Sequence, residues 1–283
     1  MANQSLLADV GLKISNREYR EHEGISSTDL KKMAQSPAHF RYWKDHPQED
    51  APALLFGRAA HKYMLEKEDF FNEFAVAPNI DRRTKSGKEE WSLFVEQSKG
   101  KDIISPDDFE KIECMYKVLY NTPYVADLLN GKKELSFFVV DDLTGMTLKA
   151  RPDCLTEINN TNLYVEYKTT ENSESEAFMK QAIKLNYDLQ ASFYKSVLKK
   201  ATGLDYQVVF IVQEKKAPYV VNILAANKYF LASGDDVWRA NLELYEKCER
   251  TNNWHGYINE DINSLGVPNW IARQYNLLPE EDY

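Results

Sequence analysis

The chain has 283 residues, 43% of them apolar and 28% charged, which suits a soluble globular protein long enough for one large domain. A net charge of −9 argues against a surface that coats DNA non-specifically, although a locally basic channel can sit on an acidic body. No apolar run approaches a membrane span, and Met1 to Gln4 lack the basic and apolar regions of a secretory signal, so a cytoplasmic protein without a membrane partner is expected. Cys114, Cys154 and Cys248 lie far apart with no C-x-x-C pair, which points to buried free thiols. No G-x-x-x-x-G-K-[ST] loop is present, so ATP-driven work is not expected.

The first ordered unit is expected at Gly24, with Ser26 or Ser27 capping a helix through Asp29–Gln35 and Ser36-Pro37 opening a second one over Ala38–Pro47. Leu54–Glu66 has helical apolar spacing and places Gly57 and His61 on one face, the glycine allowing close approach. A lone histidine on a helix is more often simply packed. Next, Arg82, Arg83, Lys85 and Lys88 form the densest basic cluster of the chain, where Ser86 and Gly87 could leave backbone N–H groups free for phosphate. A solvated loop before an ordinary helix explains the same residues equally well.

Ser105–Asn130 reads as helical, with a core stripe of Phe109, Ile112, Met115, Tyr116 and Leu119. A turn at Asn130–Lys133 leads to a strand over Glu134–Val140, and Leu143–Gly145 turns into a second strand, Met146–Asp153. Glu174–Lys200 reads as one long helix carrying Gln190 and Tyr194 four residues apart, ended by Gly203. A core-facing tyrosine beside a glutamine is the plain reading of that pair. Strands at Tyr206–Glu214 and Tyr219–Leu224, joined by Lys215–Pro218, precede a helix over Lys228–Arg250 and an irregular aromatic tail from Thr251. The order gives a mixed α/β core with a helical N-terminal extension: about 24–130 helical, about 131–250 the core and 251–283 the tail of a single domain.

The chemistry concentrates in Arg151–Thr170. Residues i and i+2 of a strand share a face, so Glu166 and Lys168 look out together, and the turn-forming INNTN segment folds Asp153 across from Glu166 in a hairpin. Two carboxylates suit a hard divalent cation, and an adjacent ammonium can orient a water or stabilise a developing oxyanion. An exposed cross-strand charge pair is the plain alternative, but the apolar and aromatic neighbours in Leu163–Lys168 make a purely solvated face less natural.

Pro152-Asp153, a gap of twelve residues and Glu166-Tyr167-Lys168 resemble the motif of the PD-(D/E)xK nuclease superfamily. With the flanking motifs from about Ser27 to Tyr194, the chain is most similar to the RecB-like branch and, within it, to RecE (exonuclease VIII) type exonucleases of phages and prophages. The resemblance implies a restriction-endonuclease-like fold with a mixed central sheet flanked by helices. It implies Mg²⁺, with Mn²⁺ able to substitute, held by Asp153, Glu166, His61 and the Tyr167 carbonyl, with Lys168 positioning or helping to deprotonate the attacking water. Glu134 resembles an acidic residue near the catalytic pocket, though an exposed charge at a strand start accounts for it as well. Gln190 and Tyr194 match a Q-x-x-x-Y element implied to meet DNA, and Arg82, Arg83, Lys85 and Lys88 resemble a basic stretch that meets the DNA backbone or a 5′-phosphate. Ser36 stands where some branches carry an iron–sulfur cysteine, so no cluster is expected. The implied activity is ATP-independent 5′→3′ digestion of duplex ends by a ring-shaped homo-oligomer partnered by a RecT-like single-strand annealing protein.

Overall fold

The structure, a computed structural model, describes residues 10–46, 52–257, 265–267 and 269–275, so the expectations for Met1–Gln4, Pro47 and parts of the tail lie outside them. Order begins before Gly24. Helix α1 (Asn16–Glu21) starts at a reciprocal cap in which Ser15 Oγ accepts the Glu18 N–H at 3.1 Å and the Glu18 carboxylate accepts the Ser15 N–H at 2.7 Å. Helices α2 (Ser27–Met33) and α3 (Pro37–Asp45) are capped by Ser26 and Ser36, as expected. They are followed by α4 (Pro52–Leu65), a 3₁₀ turn at Lys67–Asp69 and α5 (Phe70–Glu73). Strands β1 (Phe74–Val76) and β2 (Asp102–Ile104) pair in parallel, with α6 (Lys85–Gln97) between them in sequence. The helix expected to reach Asn130 stops as α7 (Pro106–Asn121), because Thr122, held extended before Pro123, cannot continue it; Tyr124, left-handed at φ 69°, then leads into α8 (Val125–Leu128).

Strands β3 (Lys132–Lys133), β4 (Phe137–Val140), β5 (Thr147–Ala150), β6 (Cys154–Ile158) and β7 (Thr161–Thr170) follow. Two helices come next, α9 (Ser175–Lys184) and α10 (Tyr187–Thr202), where one was expected; Asn186, left-handed at φ 52°, breaks them. Strands β8 (Gln207–Glu214) and β9 (Val221–Ala225) lead to α11 (Lys228–Thr251). The tail contains a short helix, α12 (Asn269–Gln274), where only irregular chain was expected, and Trp254 stacks 5.5 Å from the Phe40 ring.

The main sheet has the order β3-β6-β7-β8-β9, with β7 and β8 parallel and the other neighbours antiparallel, while β4 and β5 form a separate hairpin. The expected strand Met146–Asp153 therefore divides. Its first part pairs with β4, Pro152 offers no N–H to a ladder, and the partner of β7 is the run after Asp153. A two-residue turn at Asn159-Asn160, both at positive φ, closes that hairpin.

Strand β7 alternates between two cores. Leu163, Val165 and Tyr167 face a cluster built from α4, α7 and α8, whereas Tyr164 faces one built from α2, α9, α10 and α11. Each fully buried apolar side chain of these cores contributes about 1.5–3 kcal/mol, so the central strand is the most firmly anchored element of the fold. Among the described residues, no helix is long and apolar enough to cross a membrane.

Candidate active site

Strand β6 begins at Cys154, opposite Val165, so β7 continues past it with an open edge. The Tyr167 N–H on that edge donates to Asp153 Oδ2 at 2.7 Å instead of to a strand. A residue turns its N–H and C=O to the same neighbour in an antiparallel ladder, so the Tyr167 carbonyl is directed to this side too. Asp153 thus stands at the place the hairpin reading assigned it, at the strand end beside Glu166. Its second oxygen, Oδ1, lies 2.9 Å from His61 Nε2, and His61 is carried by α4.

Glu134 completes the cluster by a route the sequence did not reveal. It is not in a strand: it occupies a left-handed bend at φ 55° between β3 and β4, and its backbone N–H donates to the Asp153 carbonyl at 3.2 Å. Arg151 Nε holds Glu134 Oε2 at 3.1 Å, leaving Oε1 buried, without a hydrogen-bond partner and 3.8 Å from His61 Nε2. One ligand atom from each of His61, Glu134 and Asp153 lies within 4.8 Å of the others.

The electrostatics follow from burying two acids beside one imidazole. Burial works to lower the His61 pKa, but the charge and hydrogen bond of Asp153, with Glu134, hold it up at about 9. Burial and then the Asp153 charge push Glu134 up to about 7, against the pull of His61 and Arg151. Asp153 is lowered, since His61, Lys168 and the Tyr167 N–H outweigh its burial. The cluster keeps a proton on His61 where a cation would otherwise sit. Two hard carboxylates with one borderline imidazole nitrogen make a mixed O/N donor set, and Glu134 Oε1 is a buried acceptor without a hydrogen bond to accept; both fit a divalent cation.

Glu166 and Lys168 share a face, as the two-residue period requires. Glu166 is fully buried and takes its bonds away from the His61 cluster: Tyr164 Oη donates to Oε1 at 2.6 Å, while Lys168 Nζ at 2.5 Å and Gln190 Nε2 at 2.9 Å donate to Oε2. Burial, then the nearby Asp153 charge, raises the Glu166 pKa against the pull of Lys168. Lys168 is raised as well, because Glu166 and Asp153 outweigh the burial that would lower it. A lysine so held is an ammonium, which donates and positions.

These groups meet in a cavity of about 720 Å³ whose lining includes His61, Glu134, Asp153, Tyr167, Lys168 and Tyr187. Gly57 also lines it, but a Cβ there would meet nothing within 4 Å, so the glycine is not needed for close approach. Tyr194 reaches the cavity, yet it is only 7% exposed, with its ring 5.8 Å from Tyr164.

The basic cluster stands apart from this lining. Arg82 lies over the Trp91 ring at 4.4 Å, Arg83 pairs with Asp81 at 2.9 Å, and Lys85 and Lys88 are exposed on α6. The Gly87 N–H is not free for phosphate, because Thr84 Oγ1 accepts it at 3.0 Å as the cap of α6. Sequence reasoning missed Arg151, Tyr164 and Tyr187. The contacts of Arg151 and Tyr187 join distant segments, whereas the two-residue period that aligns Glu166 and Lys168 also puts Tyr164 on their face and could have found it. The capping-box pattern Ser15-Asn16-Arg17-Glu18 could have announced the α1 segment that walls the cavity.

A family profile described as a PDDEXK-like domain of unknown function (DUF3799) matches residues 26–264, which leaves the cavity wall of Lys13 to Arg20 outside the match. The fold is similar to the crystal structure of a candidate exonuclease from Eubacterium rectale, with a TM-score of 0.58 and 12% identity over 93% of this chain and 98% of that one. A second crystal structure, of SSO0001, is only loosely alike, with a TM-score of 0.40 and 13% identity over 86% of this chain and 87% of that one. No curated protein matches the chain.

Proposed function

Because the chain belongs to the PDDEXK-like domain family (DUF3799), we propose that it is a metal-dependent deoxyribonuclease that hydrolyses phosphodiester bonds from duplex DNA ends. The observation that carries this reading is the buried Glu134 Oε1, without a hydrogen-bond partner and grouped with His61 and Asp153 on the wall of the cavity that Lys168 also lines.

His61, Glu134 and Asp153, with the Tyr167 carbonyl, would hold Mg²⁺ or Mn²⁺. Glu166, the ligand the motif implies, has its oxygens engaged by Tyr164, Lys168 and Gln190 and would join the set by giving up one of these bonds. When bound, such a cation supplies Lewis-acidic charge to the scissile phosphate. The residues of the chain do the positioning. Lys168 Nζ, charged and lining the cavity, orients the attacking water and meets the charge that develops on phosphate oxygen. Glu166 fixes that ammonium through the 2.5 Å contact, and the Tyr167 N–H fixes Asp153. Arg151 keeps one Glu134 oxygen occupied so that the other faces the cluster.

We further propose, from resemblance to RecE-like enzymes, 5′→3′ polarity without ATP, a role in phage-type recombination in the cytoplasm, a ring-shaped homo-oligomer and a RecT-like annealing partner. The basic residues Arg82, Arg83, Lys85 and Lys88 serve as a DNA-backbone contact outside the cavity, and Tyr194 supports the strand at its wall, with Gln190 acting from behind through Glu166.

Linear duplexes labelled at either end, digested with Mg²⁺ or with EDTA by wild type and Lys168→Ala, test the reading. Metal-dependent release of 5′-end mononucleotides, lost in the variant, is expected. Internal cuts in closed circular DNA would make it an endonuclease, release from 3′ ends would reverse the polarity, and no cleavage under any metal would leave a DNA-binding module.

A further inference from the structure

A second lysine stands behind the Glu166–Lys168 pair. Lys31, half-buried on α2, donates Nζ to Gln190 Oε1 at 2.9 Å and lies 4.9 Å from the Tyr187 ring centroid. Lys168 Nζ lies 5.3 Å from the same ring, and Gln190 Nε2 donates at 2.9 Å to the Glu166 oxygen that also receives Lys168. The line Lys31–Gln190–Glu166–Lys168 therefore joins α2, α10 and β7.

The chemistry of this line has one polarity. Lys31 Nζ donates to the amide oxygen and an ionised carboxylate only accepts, so the amide between them gives its oxygen to Lys31 and its nitrogen to Glu166. Without Lys31 the oxygen end of the amide loses its anchor. The carboxylate alone still selects Nε2, but the Gln190 side chain is then free to swing off Glu166, which loses one of the two donors that fix the oxygen holding Lys168. The Tyr187 ring, bracketed by the two lysines, loses one of its cations as well.

We propose that Lys31 is a positioning residue: by fixing the orientation of the Gln190 amide it holds Glu166, and through Glu166 it aims Lys168 into the cavity. This rests on the nuclease reading above. Lys31 is held there against its own preference, since burial and then the Lys168 charge pull it down to about 7, with Glu166 and Asp188 opposing. A methionine would fill the same volume without that cost.

The test compares Lys31→Met, Lys31→Arg, Gln190→Leu and the Lys31→Met/Gln190→Leu pair on end-labelled duplex, with the crystal structure and thermal unfolding of each. Lys31→Met is expected to fold as well as wild type and to lose roughly ten- to a hundredfold in kcat with KM unchanged. Lys31→Arg should recover most of the rate, and the pair should be no slower than Gln190→Leu alone. In the Lys31→Met crystal, the Gln190 amide should have left Glu166 and Lys168 should have shifted. A raised KM with unchanged kcat would make Lys31 a DNA contact instead, and additive losses would break the line between Lys31 and Gln190. If wild type cleaves no DNA, the nuclease reading fails on its own. The crystal still decides the positioning claim, which falls if the Gln190 amide stays on Glu166 without Lys31, or if Lys31→Met and Lys31→Arg both unfold while Gln190→Leu folds with Lys168 in place.

Discussion

His61 Nε2 stands 2.9 Å from Asp153 Oδ1, so a helix of the N-terminal part and a strand end of the core are joined by an imidazole–carboxylate pair. The His61 value of about 9 lies above its ordinary 6.5 in spite of burial. A raised folded-state value means that the pair stabilises fully below about pH 6.5 and that this contribution is lost as pH rises through about 9. Glu134, raised to about 7, adds a loss of the same sign at lower pH. In EDTA the unfolding midpoint should therefore fall from pH 6 to pH 9.5, and His61→Gln should flatten the upper part of that fall. A flat wild-type profile would show that the pair carries no linked proton.

Cation binding must displace that proton. Calorimetry at pH 8, in buffers of different ionisation heat, should find about one proton released per Mg²⁺ or Mn²⁺ bound, with affinity rising towards pH 9. Glu134→Gln should weaken binding by about tenfold or more. It should cost little stability in the absence of metal, since burial already disfavours the ionised carboxyl against the pull of Arg151 and His61. Binding without proton release would exclude His61 as a ligand.

Tyr164→Phe isolates the support of Glu166. The lost 2.6 Å hydrogen bond ends on a fully buried acid, so unfolding in urea should show a loss of roughly 1.5–3 kcal/mol. The remaining donors, Lys168 and Gln190, still hold Oε2, so kcat should fall less than in Lys168→Ala. Unchanged stability would mean that water replaces the phenol.

The two-residue period of Leu163–Lys168 made the central strand legible, and with it the shared face of Glu166 and Lys168. His61 could be reached only through its four-residue spacing from Gly57 and the motif that spacing resembles. Asp153 was placed beside Glu166 correctly, although its strand was not: Pro152 ends one pairing and Cys154 starts another, which a continuous run of apolar and basic residues does not disclose. Glu134 looks like a strand start in the sequence because its left-handed backbone depends on Arg151 and the Asp153 carbonyl, both distant in the chain. The break at Asn186 was hidden for a related reason: asparagine tolerates positive φ without requiring it.

Gly234 on α11 sets the distance to α10, the helix that carries Tyr187 and Gln190. A Cβ there would lie 2.0 Å from the Asp188 carbonyl oxygen, a backbone atom that cannot rotate away. Gly234→Ala should cost at least about 2 kcal/mol in denaturant unfolding and should also slow cleavage, because α10 must move to make room. A stable variant with wild-type kcat would show that the helices separate without disturbing Gln190.

Arg82, Arg83, Lys85 and Lys88 stand outside the cavity lining, so they should govern binding and leave chemistry alone. Arg83 is already paired with exposed Asp81, which leaves Arg82, Lys85 and Lys88 as the stronger contributors. Replacing all four by alanine should raise KM for duplex ends while kcat at saturation holds. The salt dependence of binding should become shallower by roughly 0.9 in log–log slope for each phosphate contact removed. Arg82 also covers Trp91 at 4.4 Å, so an Arg82→Lys control separates lost packing from lost charge. Loss of kcat with KM and salt slope unchanged would place these residues in the chemistry, while no change in any of the three would leave them a solvated helix start.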